Sequence, residues 1–270
     1  MNATQLEEKP EIANDPAPCT LENEETSATV DATPTRLLAV RTRIPASMPS
    51  RLLHRNLLRS LVFGIRRSKG IAIRVEGLDK LDDLEAPFII APNHVSLLDS
   101  PILHINLPRR HARKTAVVGG LDFFAPREGA AITMNLFKRL VVRFIRGAVN
   151  VALINRSGGD YSNLEQIDEL LSQGWSLIIF PEATRSRSGE LGRMRLGVAE
   201  LARRYGCPVL PTHISGTDVV LPVGSNFPVK GSIEIRLGEP LKIEDDENSR
   251  AFIERLGRQI VALGTGEQSG

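Results

Sequence analysis

Cysteine is scarce in this sequence, which has two, Cys19 and Cys207, among its 270 residues. Two thiols so far apart in the chain cannot build a disulfide framework, and they cannot supply the ligand set of a cysteine-based zinc site. The scarcity is consistent with a reducing compartment, or with indifference to the redox state. The rest of the composition, with 41% hydrophobic and 24% charged residues, is that of an ordinary globular protein and excludes a mainly disordered or fibrous chain.

Long hydrophobic runs are also missing from the sequence. The longest, such as residues 177–180, are far shorter than the roughly 20 residues that a membrane-spanning helix needs, so we expect no transmembrane helix. No basic segment followed by an apolar stretch precedes Cys19, and we therefore expect neither a signal peptide nor a lipid-attachment site. These absences together predict a cytoplasmic protein.

The net charge of +2 conceals an uneven distribution of charge. Residues 1–35 hold one basic and eight acidic residues, whereas residues 36–270 hold 33 basic and 24 acidic ones. The folded part is therefore basic, which predicts an anionic partner. Aromatic residues make up only 4% of the chain, and no basic segment is interleaved with rings on which bases would stack. We therefore expect a phosphate group or a membrane surface as the partner, and no nucleic acid.

Composition divides the chain into a tail, a basic helix and a folded domain. Residues 1–48 are rich in Pro, Thr, Asn and Glu without periodicity, which predicts a disordered acidic tail. Residues 51–69 contain seven basic residues and no acid, and leucines gather on one helical face opposite Arg55 and Arg59, so we predict a basic amphipathic helix over 49–70. Two interpretations stay open: a helix that packs on the core with a solvated basic face, or one that lies on an anionic membrane surface.

Residues 71–263 alternate between short apolar strands and longer helical segments. This pattern predicts an α/β layered domain, with a mostly parallel or mixed sheet flanked by helices. The predicted strands cover 71–75, 87–91, 115–118, 149–154, 175–180, 208–213 and 232–237, and the predicted helices cover 97–106, 132–147, 164–173, 192–205 and 249–263. Residues 264–270 are predicted to form a frayed tail.

Residues 109–156 hold ten Lys and Arg against two acids, and a second basic segment favours a protein peripheral to a membrane.

Polar residues follow the predicted strand at 87–91, and the carboxyl ends of strands carry the chemistry of α/β folds. His94 comes just after this strand, and Asp99 is five residues further on. In one continuous helix the two side chains would lie about 140° apart, but a turn between His94 and Ser96 lets Asp99 fold back to the imidazole. A carboxylate bound to one ring nitrogen fixes the tautomer and makes the other nitrogen a general base.

A second polar corner follows the predicted strand at 175–180, which ends at a proline. Arg185 and Arg187 supply guanidinium groups, and Thr184 and Ser186 supply hydroxyls. These are the donors that a phosphate group prefers, although an ordinary loop also has this composition.

Together the two corners resemble the motifs of the glycerolipid acyltransferase family, in particular of the 1-acyl-sn-glycerol-3-phosphate acyltransferases. The chain has N-H-x4-D at 93–99 and F-P-E-A-T-R-S at 180–186, and the segments at 155–156 and 209–211 are similar to the family's second and fourth motifs. Order and spacing match over residues 70–240. Ala183 and Asn150 stand where the family usually has glycine, and Asn155 stands where an acidic residue is more usual. Alanine at position 183 matches the family pattern less well if that position needs a positive φ or a close approach of the backbone to substrate.

The resemblance implies a glycerol-3-phosphate acyltransferase-like fold and a reaction. A fatty acyl group passes from acyl-CoA or acyl-carrier protein to the free hydroxyl of 1-acyl-sn-glycerol 3-phosphate, forming phosphatidic acid in phospholipid biosynthesis, without cofactor or metal. The resemblance also implies that His94 is the general base and that Asp99 orients it. The chain lacks the G-x-S-x-G elbow of one large class of serine hydrolases, and a direct transfer needs no such nucleophile.

The resemblance also implies an acceptor site at the same edge of the sheet. Arg156 and Arg185 are expected to bind the acceptor's phosphate, and Glu182 to hold an arginine or bind a glycerol hydroxyl. Thr184 and Ser186 are expected to add hydrogen bonds. Two alternatives stay open: the same chemistry on glycerol 3-phosphate, another lysophospholipid or a lyso-aminolipid, or a catalytically silent module that binds a membrane surface.

Overall fold

The computed structural model describes residues 48–120, 149–154, 164–186, 189–222, 225 and 227–266. The predicted tail up to residue 47, the predicted helix at 132–147, and Asn155, Arg156 and Arg187 lie outside these residues. Within them the helices are α1 (Met48–Lys69), α2 (Asp99–Asn106), α3 (Arg109–Ala112), α4 (Leu164–Ser172), α5 (Gly197–Tyr205), α6 (Thr217–Val220) and α7 (Ser249–Thr265). The strands are β1 (Ile71–Glu76), β2 (Ile89–Pro92), β3 (Thr115–Gly120), β4 (Val151–Ile154), β5 (Ser176–Ile178), β6 (Val209–Ser215) and β7 (Gly231–Leu237).

The described strands form one sheet in the order β1-β7-β6-β2-β5-β3-β4. β6 and β7 pair antiparallel, and every other neighbouring pair in this sheet is parallel. The predicted α/β fold with a mostly parallel, mixed sheet is therefore confirmed. Because β2, β5 and β6 run in the same direction, their carboxyl ends meet at one edge of the sheet.

Alternate residues of the central strands enter two hydrophobic cores, one on each face of the sheet. One core joins Ile90 and Leu210 to Leu58 of α1 and Leu103 of α2. The other joins residues of β2, β5 and β6 to helices α4, α5 and α7, namely Ile89, Leu177, Val209, Leu171, Leu201 and Phe252. The continuous apolar strands of the sequence follow from this arrangement, because helices cover both faces of the sheet.

The helix predicted from residue 97 begins at Asp99, and hydrogen bonds explain two further differences from the predicted helix bounds. The helix predicted to begin at residue 192 begins at Gly197, because the amides of Gly192 and Arg195 donate to Glu182 and to the carbonyl of Pro181, at 2.8 Å each. The last helix continues to Thr265, so the predicted frayed tail does not begin at residue 264. Arg236 donates to the carbonyl of Leu263 at 2.7 Å and stabilises the end of α7.

Helix α1 packs on the domain through a face that mixes apolar and basic side chains. Leu58 and Arg55 are each 5% exposed, and Arg59 donates to the carbonyl of Ile105 at the end of α2, at 2.7 and 3.0 Å. Three leucines point outward and are more than half exposed: Leu53, Leu57 and Leu61. The expectation of a solvated basic face is therefore wrong for Arg55, and the exposed residues of α1 include four large apolar ones, Leu53, Leu57, Leu61 and Phe63.

Burial of a histidine makes the stability of this fold sensitive to acid. His104 of α2 is fully buried, and burial lowers its pKa to about 4, with a further contribution from the positive charges of Arg55 and Arg59. Between pH 6.5 and 4 the unfolded chain binds a proton at this site that the folded chain does not bind, so stability is lost as the pH falls. At about 1.4 kcal/mol per pKa unit, we expect this histidine to remove about 3 kcal/mol from the free energy of unfolding.

Denaturant unfolding at several pH values between 7 and 4 checks this expectation. The neutral variant His104→Gln should lose less stability than the wild type over the same interval, because its side chain does not titrate. Parallel pH dependences for the two proteins would show that His104 does not contribute to acid sensitivity.

Candidate active site

The turn after β2 folds around the carboxylate of Asp99, which is completely buried. One oxygen, Oδ2, accepts hydrogen bonds from the amides of Val95 and Ser96 at 2.8 Å each. Nδ1 of His94 lies 2.8 Å from the same oxygen. The predicted contact between His94 and Asp99 is therefore present, and it forms because residues 93–98 are not helical: α2 begins only at Asp99.

The contact determines which nitrogen of His94 is available for chemistry. A carboxylate oxygen accepts hydrogen bonds, so Nδ1 carries the proton and Nε2 presents a lone pair. The ring packs against Phe180, with 4.1 Å between the centroids and an angle of 31° between the planes. Because 16% of the His94 side chain stays exposed, a substrate can still reach the imidazole.

Asp99 has a further partner, Thr217, which the sequence analysis missed. Thr217 is fully buried at the start of α6, and its hydroxyl donates to Oδ1 of Asp99 at 2.5 Å. Gly216 makes this placement possible: it has φ 78°, and a Cβ there would lie 1.9 Å from the carbonyl oxygen of Ser232. The signal in the sequence is the segment 214–217, which begins three residues after the end of the fourth-motif segment at 209–211.

The hydroxyl of Thr217 holds the carboxylate that orients His94, so its removal should slow the chemical step. We expect Thr217→Val to lower kcat about tenfold with little change in KM, since a hydrogen bond to a charged group is worth about 1.5–3 kcal/mol. Thr217→Ser retains the hydroxyl and should stay close to the wild-type kcat. Steady-state kinetics of both variants check the role, and equal losses in the two variants would contradict it.

Asn93 connects the same turn to the neighbouring strand β6. Its side chain donates to the carbonyl of Ile214 at 2.9 Å and accepts from the amide of Ile214 at 2.7 Å. The amide group thus continues the hydrogen bonding of the sheet beyond the end of β2. Asn93, the first residue of the N-H-x4-D motif, therefore has a structural role, and it positions the adjacent His94.

Glu182 joins the two polar corners. Its carboxylate accepts from the backbone amides of His94 and Gly192 at 2.8 Å each, and it is 6% exposed. The amide of Ser186 donates to the carbonyl of His94 at 2.8 Å. Within the part of the chain that the structure describes, Glu182 pairs with no arginine, so the expectation that it holds one is not met there. Its contact with a glycerol hydroxyl stays a prediction.

Two positions that usually hold glycine in the resembling family have positive φ in this chain. Ala183 has φ 60° and Asn150 has φ 50°, and no other non-glycine residue with a positive φ occurs among the described residues. Ala183 lies in the turn that places Glu182, and its amide donates to the carbonyl of Phe180 at 3.0 Å. The left-handed conformation of an alanine costs about 1–2 kcal/mol, so this corner is strained.

We expect Ala183→Gly to stabilise the fold modestly. Relief of the strain outweighs the greater entropy of glycine in the unfolded chain, which is worth about 0.4–1 kcal/mol, and leaves a net gain of roughly 0.5–1 kcal/mol. The matched control is Ala199→Gly, because Ala199 lies within helix α5 and glycine should destabilise it there. Denaturant unfolding measures both changes, and a loss of stability in Ala183→Gly would contradict the argument.

The remaining predicted residues lie on the corner after β5. Arg185 and Thr184 are exposed and Ser186 is half-buried. Among the described residues Arg185 makes no ion pair, which leaves its guanidinium group available for an anion. The structure thus brings His94, Asp99 and Glu182 together with this corner, whereas Arg156 lies outside the described residues.

Within the described ranges, no group of three or more His, Cys, Asp or Glu side chains has a geometry that would hold a metal ion. None of the helices in those ranges is both long and apolar enough to cross a membrane.

Comparison with known proteins places these features in a family. The Acyltransferase family model matches residues 72–215, more than half of the chain. The chain is 30% identical over 172 residues to the chloroplastic 1-acyl-sn-glycerol-3-phosphate acyltransferase LPAT1 of Arabidopsis thaliana, a match that covers 63% of this chain and 43% of the relative. It is 35% identical over 91 residues to the 1-acyl-sn-glycerol-3-phosphate acyltransferase of Pseudomonas aeruginosa, covering 33% of this chain and 34% of that one.

A solved structure shares the fold. The crystal structure of the 1-acyl-sn-glycerophosphate (LPA) acyltransferase PlsC from Thermotoga maritima matches with a TM-score of 0.56 at 22% identity. The match covers 80% of this chain and 82% of that one. By contrast, the chain spans less than half the length of the two curated relatives.

Proposed function

The chain belongs to the Acyltransferase family, and from this premise we propose that it acylates the free hydroxyl of 1-acyl-sn-glycerol 3-phosphate to form phosphatidic acid. The acyl donor is a thioester, acyl-CoA or acyl-carrier protein. The observation that carries the proposal is the 2.8 Å contact between Nδ1 of His94 and Asp99, beside a corner that presents Arg185. The names of the Arabidopsis and Pseudomonas relatives support this choice of acceptor.

The proposed chemical step uses His94 as a general base. The acceptor hydroxyl has little nucleophilicity until its proton is removed, and Nε2 takes that proton as the oxygen attacks the thioester carbonyl. The new ester bond forms, the carbon–sulfur bond breaks, and the thiolate leaves with the electron pair. The imidazolium formed in this step is stabilised by Asp99, and it returns its proton to the thiolate or to solvent. No acyl group is attached to the protein, and no metal or cofactor is needed.

The corner after β5 is proposed to hold the acceptor. Arg185, with Arg156 as a second cation, binds the phosphate, while Thr184 and Ser186 add hydrogen bonds. Binding through the phosphate places the hydroxyl beside His94. Such positioning can lower the barrier by roughly 7–11 kcal/mol at most. Glu182 contributes by fixing the backbone of His94 through the hydrogen bond to its amide.

A radiolabelled acyl-CoA assay with a panel of acceptors tests the proposed function. We expect 1-acyl-sn-glycerol 3-phosphate to have the highest kcat/KM, ahead of glycerol 3-phosphate and of lysophospholipids without a terminal phosphate. A parallel assay with acyl-carrier protein identifies the donor. A higher kcat/KM for glycerol 3-phosphate or for a lyso-aminolipid would reassign the acceptor, and transfer to none of these acceptors would favour the silent membrane-surface module.

Peripheral association with a membrane is the second part of this proposal. It is supported by the outward apolar residues of α1, since Leu53, Leu57 and Phe63 are 54–68% exposed. Sedimentation with anionic vesicles at low salt tests it, with Leu57→Glu as the disrupting variant. Equal sedimentation of the wild type and the variant, or none of either, would contradict a role for α1 at the membrane.

A further inference from the structure

Four arginines gather where α1 passes the end of α2 and the short helix α3. Arg55 is 5% exposed, and Arg59 is partly buried against the last carbonyls of α2. Arg109 begins α3, and Arg113 follows its last residue. Burial lowers the pKa of Arg55, and the positive charges of Arg59, Arg113 and Arg109 lower it further.

This arginine cluster, Arg55, Arg59, Arg109 and Arg113, has no counter-charge in the part of the chain that the structure describes. None of its members forms an ion pair there. The segments that supply it, residues 51–69 and 109–120, contain no Asp or Glu. Arginine stays protonated in proteins, and a buried charge is strongly unfavourable unless it is paired. This cost applies to Arg55, whereas Arg109 and Arg113 are exposed, and an anion bound at the cluster would stabilise the charge of Arg55.

Within the part of the chain that the structure describes, two buried polar atoms in or near the cluster lack hydrogen-bond partners. They are Nε of Arg55, a donor, and Nδ1 of His104. Because Nε2 of His104 lies 3.2 Å from the carbonyl of Thr115 and donates to it, Nδ1 is an acceptor. A phosphate oxygen would accept from Nε of Arg55, and a phosphate that carries one proton can also donate a hydrogen bond.

A groove of about 520 Å³ adjoins the cluster at Arg59. Its walls include a second cation and several apolar side chains, namely Arg66, Val62, Phe63, Ile73 and Ile105. The groove is large enough for an apolar chain next to the arginines, so a phosphate on a lipid fits this place as well as a free phosphate does.

We propose that Arg55, Arg59, Arg109 and Arg113 form a binding site for a phosphate group, distinct from the site at His94. Helix α2 separates the two sites: Asp99 is its first residue, whereas Arg59 contacts the carbonyls of Ile105 and Leu107 at its other end, about 9 Å along the axis. The inference does not depend on acyl transfer and holds whichever acceptor the enzyme uses.

Thermal unfolding in inorganic phosphate, compared with sodium chloride of equal ionic strength, tests the site. An anion that binds only the folded protein raises Tm, by about 2–4 °C when its concentration is roughly five times Kd. Arg55→Met fills similar space without the charge, and should lose this rise. In sodium chloride alone it should have a higher Tm than the wild type, because the like charges no longer repel one another.

Two further variants keep the test decisive if Arg55→Met does not fold. Arg113→Gln removes an exposed member of the cluster and should lose part of the phosphate-dependent rise. Arg67→Gln removes an exposed arginine of α1 outside the cluster and should keep all of it. An equal rise in the wild type, Arg113→Gln and any folded Arg55→Met would overturn the proposal. A lower Tm of Arg55→Met in sodium chloride would overturn it too, since Arg55 would then be a structural cation.

Sedimentation with vesicles identifies the source of the phosphate. If it belongs to a lipid, Arg113→Gln should bind phosphatidylcholine vesicles containing phosphatidic acid more weakly than Arg67→Gln, with no difference on phosphatidylcholine alone. Equal binding of the two variants, together with the expected changes in Tm, would assign the site to free phosphate. Absence of both effects would contradict the proposal, while acyl transfer measured in the same preparations would report separately on the site at His94.

Discussion

Replacing His94 with alanine should lower kcat for acyl transfer by about 10²–10⁴-fold, the usual contribution of a general base. The side chain is the one imidazole that the structure places at the carboxyl edge with Nδ1 fixed by a buried carboxylate and its ring on Phe180. A hydroxyl acceptor cannot lose its proton to the thioester, so the reaction needs a base on the protein. KM for the acceptor should change little, because the proposed phosphate contacts come from the corner after β5 and not from His94.

Two control measurements test whether the His94→Ala protein is folded and binds vesicles as the wild type does. Asp99 keeps its bonds from Val95, Ser96 and Thr217 in this variant, so Tm should fall only slightly. Sedimentation with anionic vesicles should be unchanged. Full turnover by a folded His94→Ala protein would show that the base has been assigned to the wrong residue.

The Asp99→Asn variant should lose activity to a similar extent, about 10²–10⁴-fold in kcat. The amide oxygen takes the place of Oδ2, where Val95, Ser96 and His94 donate, and the NH₂ group faces the hydroxyl of Thr217. The variant therefore lacks the negative charge that stabilises the imidazolium formed during proton transfer.

Stability should fall in this variant as well. In the wild type the two oxygens of Asp99 accept from the amides of Val95 and Ser96, from Nδ1 of His94 and from the hydroxyl of Thr217. The uncharged amide accepts these bonds more weakly than a carboxylate does, and we expect this loss to cost about 1–3 kcal/mol of stability. Asp83→Asn, on an exposed residue, is the matched control and should change neither kcat nor Tm. An Asp99→Asn protein with wild-type kcat would contradict the orienting role.

The parts of the fold that the sequence predicted are those that short-range patterns determine. Continuous apolar runs located each strand of the sheet within the described residues to within a few positions, because helices cover both of its faces. The contact of His94 with Asp99 was also predictable, since the two residues are five positions apart and a single turn joins them.

Thr217 was not predictable in this way. It lies 118 residues from Asp99, and the two meet only because β6 is the neighbour of β2 in the sheet. Periodicity identifies strands but does not give their order. The role of Glu182 was missed for a related reason, because its partners are the backbone amides of His94 and Gly192. Almost every residue has a backbone amide, so the sequence does not indicate which of them a side chain will bind.

The orientation of α1 shows a tertiary contact overriding a local pattern. A helical wheel puts the leucines on the buried side, but in the fold Leu57 and Leu61 are more than half exposed while Arg55 is buried. The guanidinium of Arg59 bonds to the end of α2, where the last carbonyls of a helix lack partners. This bond holds the side of α1 that carries Arg59 against the domain. The sequence of α1 alone therefore does not predict how the helix is oriented.

The most direct test of the central claim is the tautomer of His94 in the wild-type protein. Nitrogen NMR of histidine-labelled protein, assigned by comparison with His94→Ala and recorded where the ring is neutral, distinguishes the two ring nitrogens. We expect a proton on Nδ1 and an unprotonated Nε2. A proton on Nε2 in the wild type would mean that the nitrogen facing the substrate cannot accept one, and that His94 is not the base.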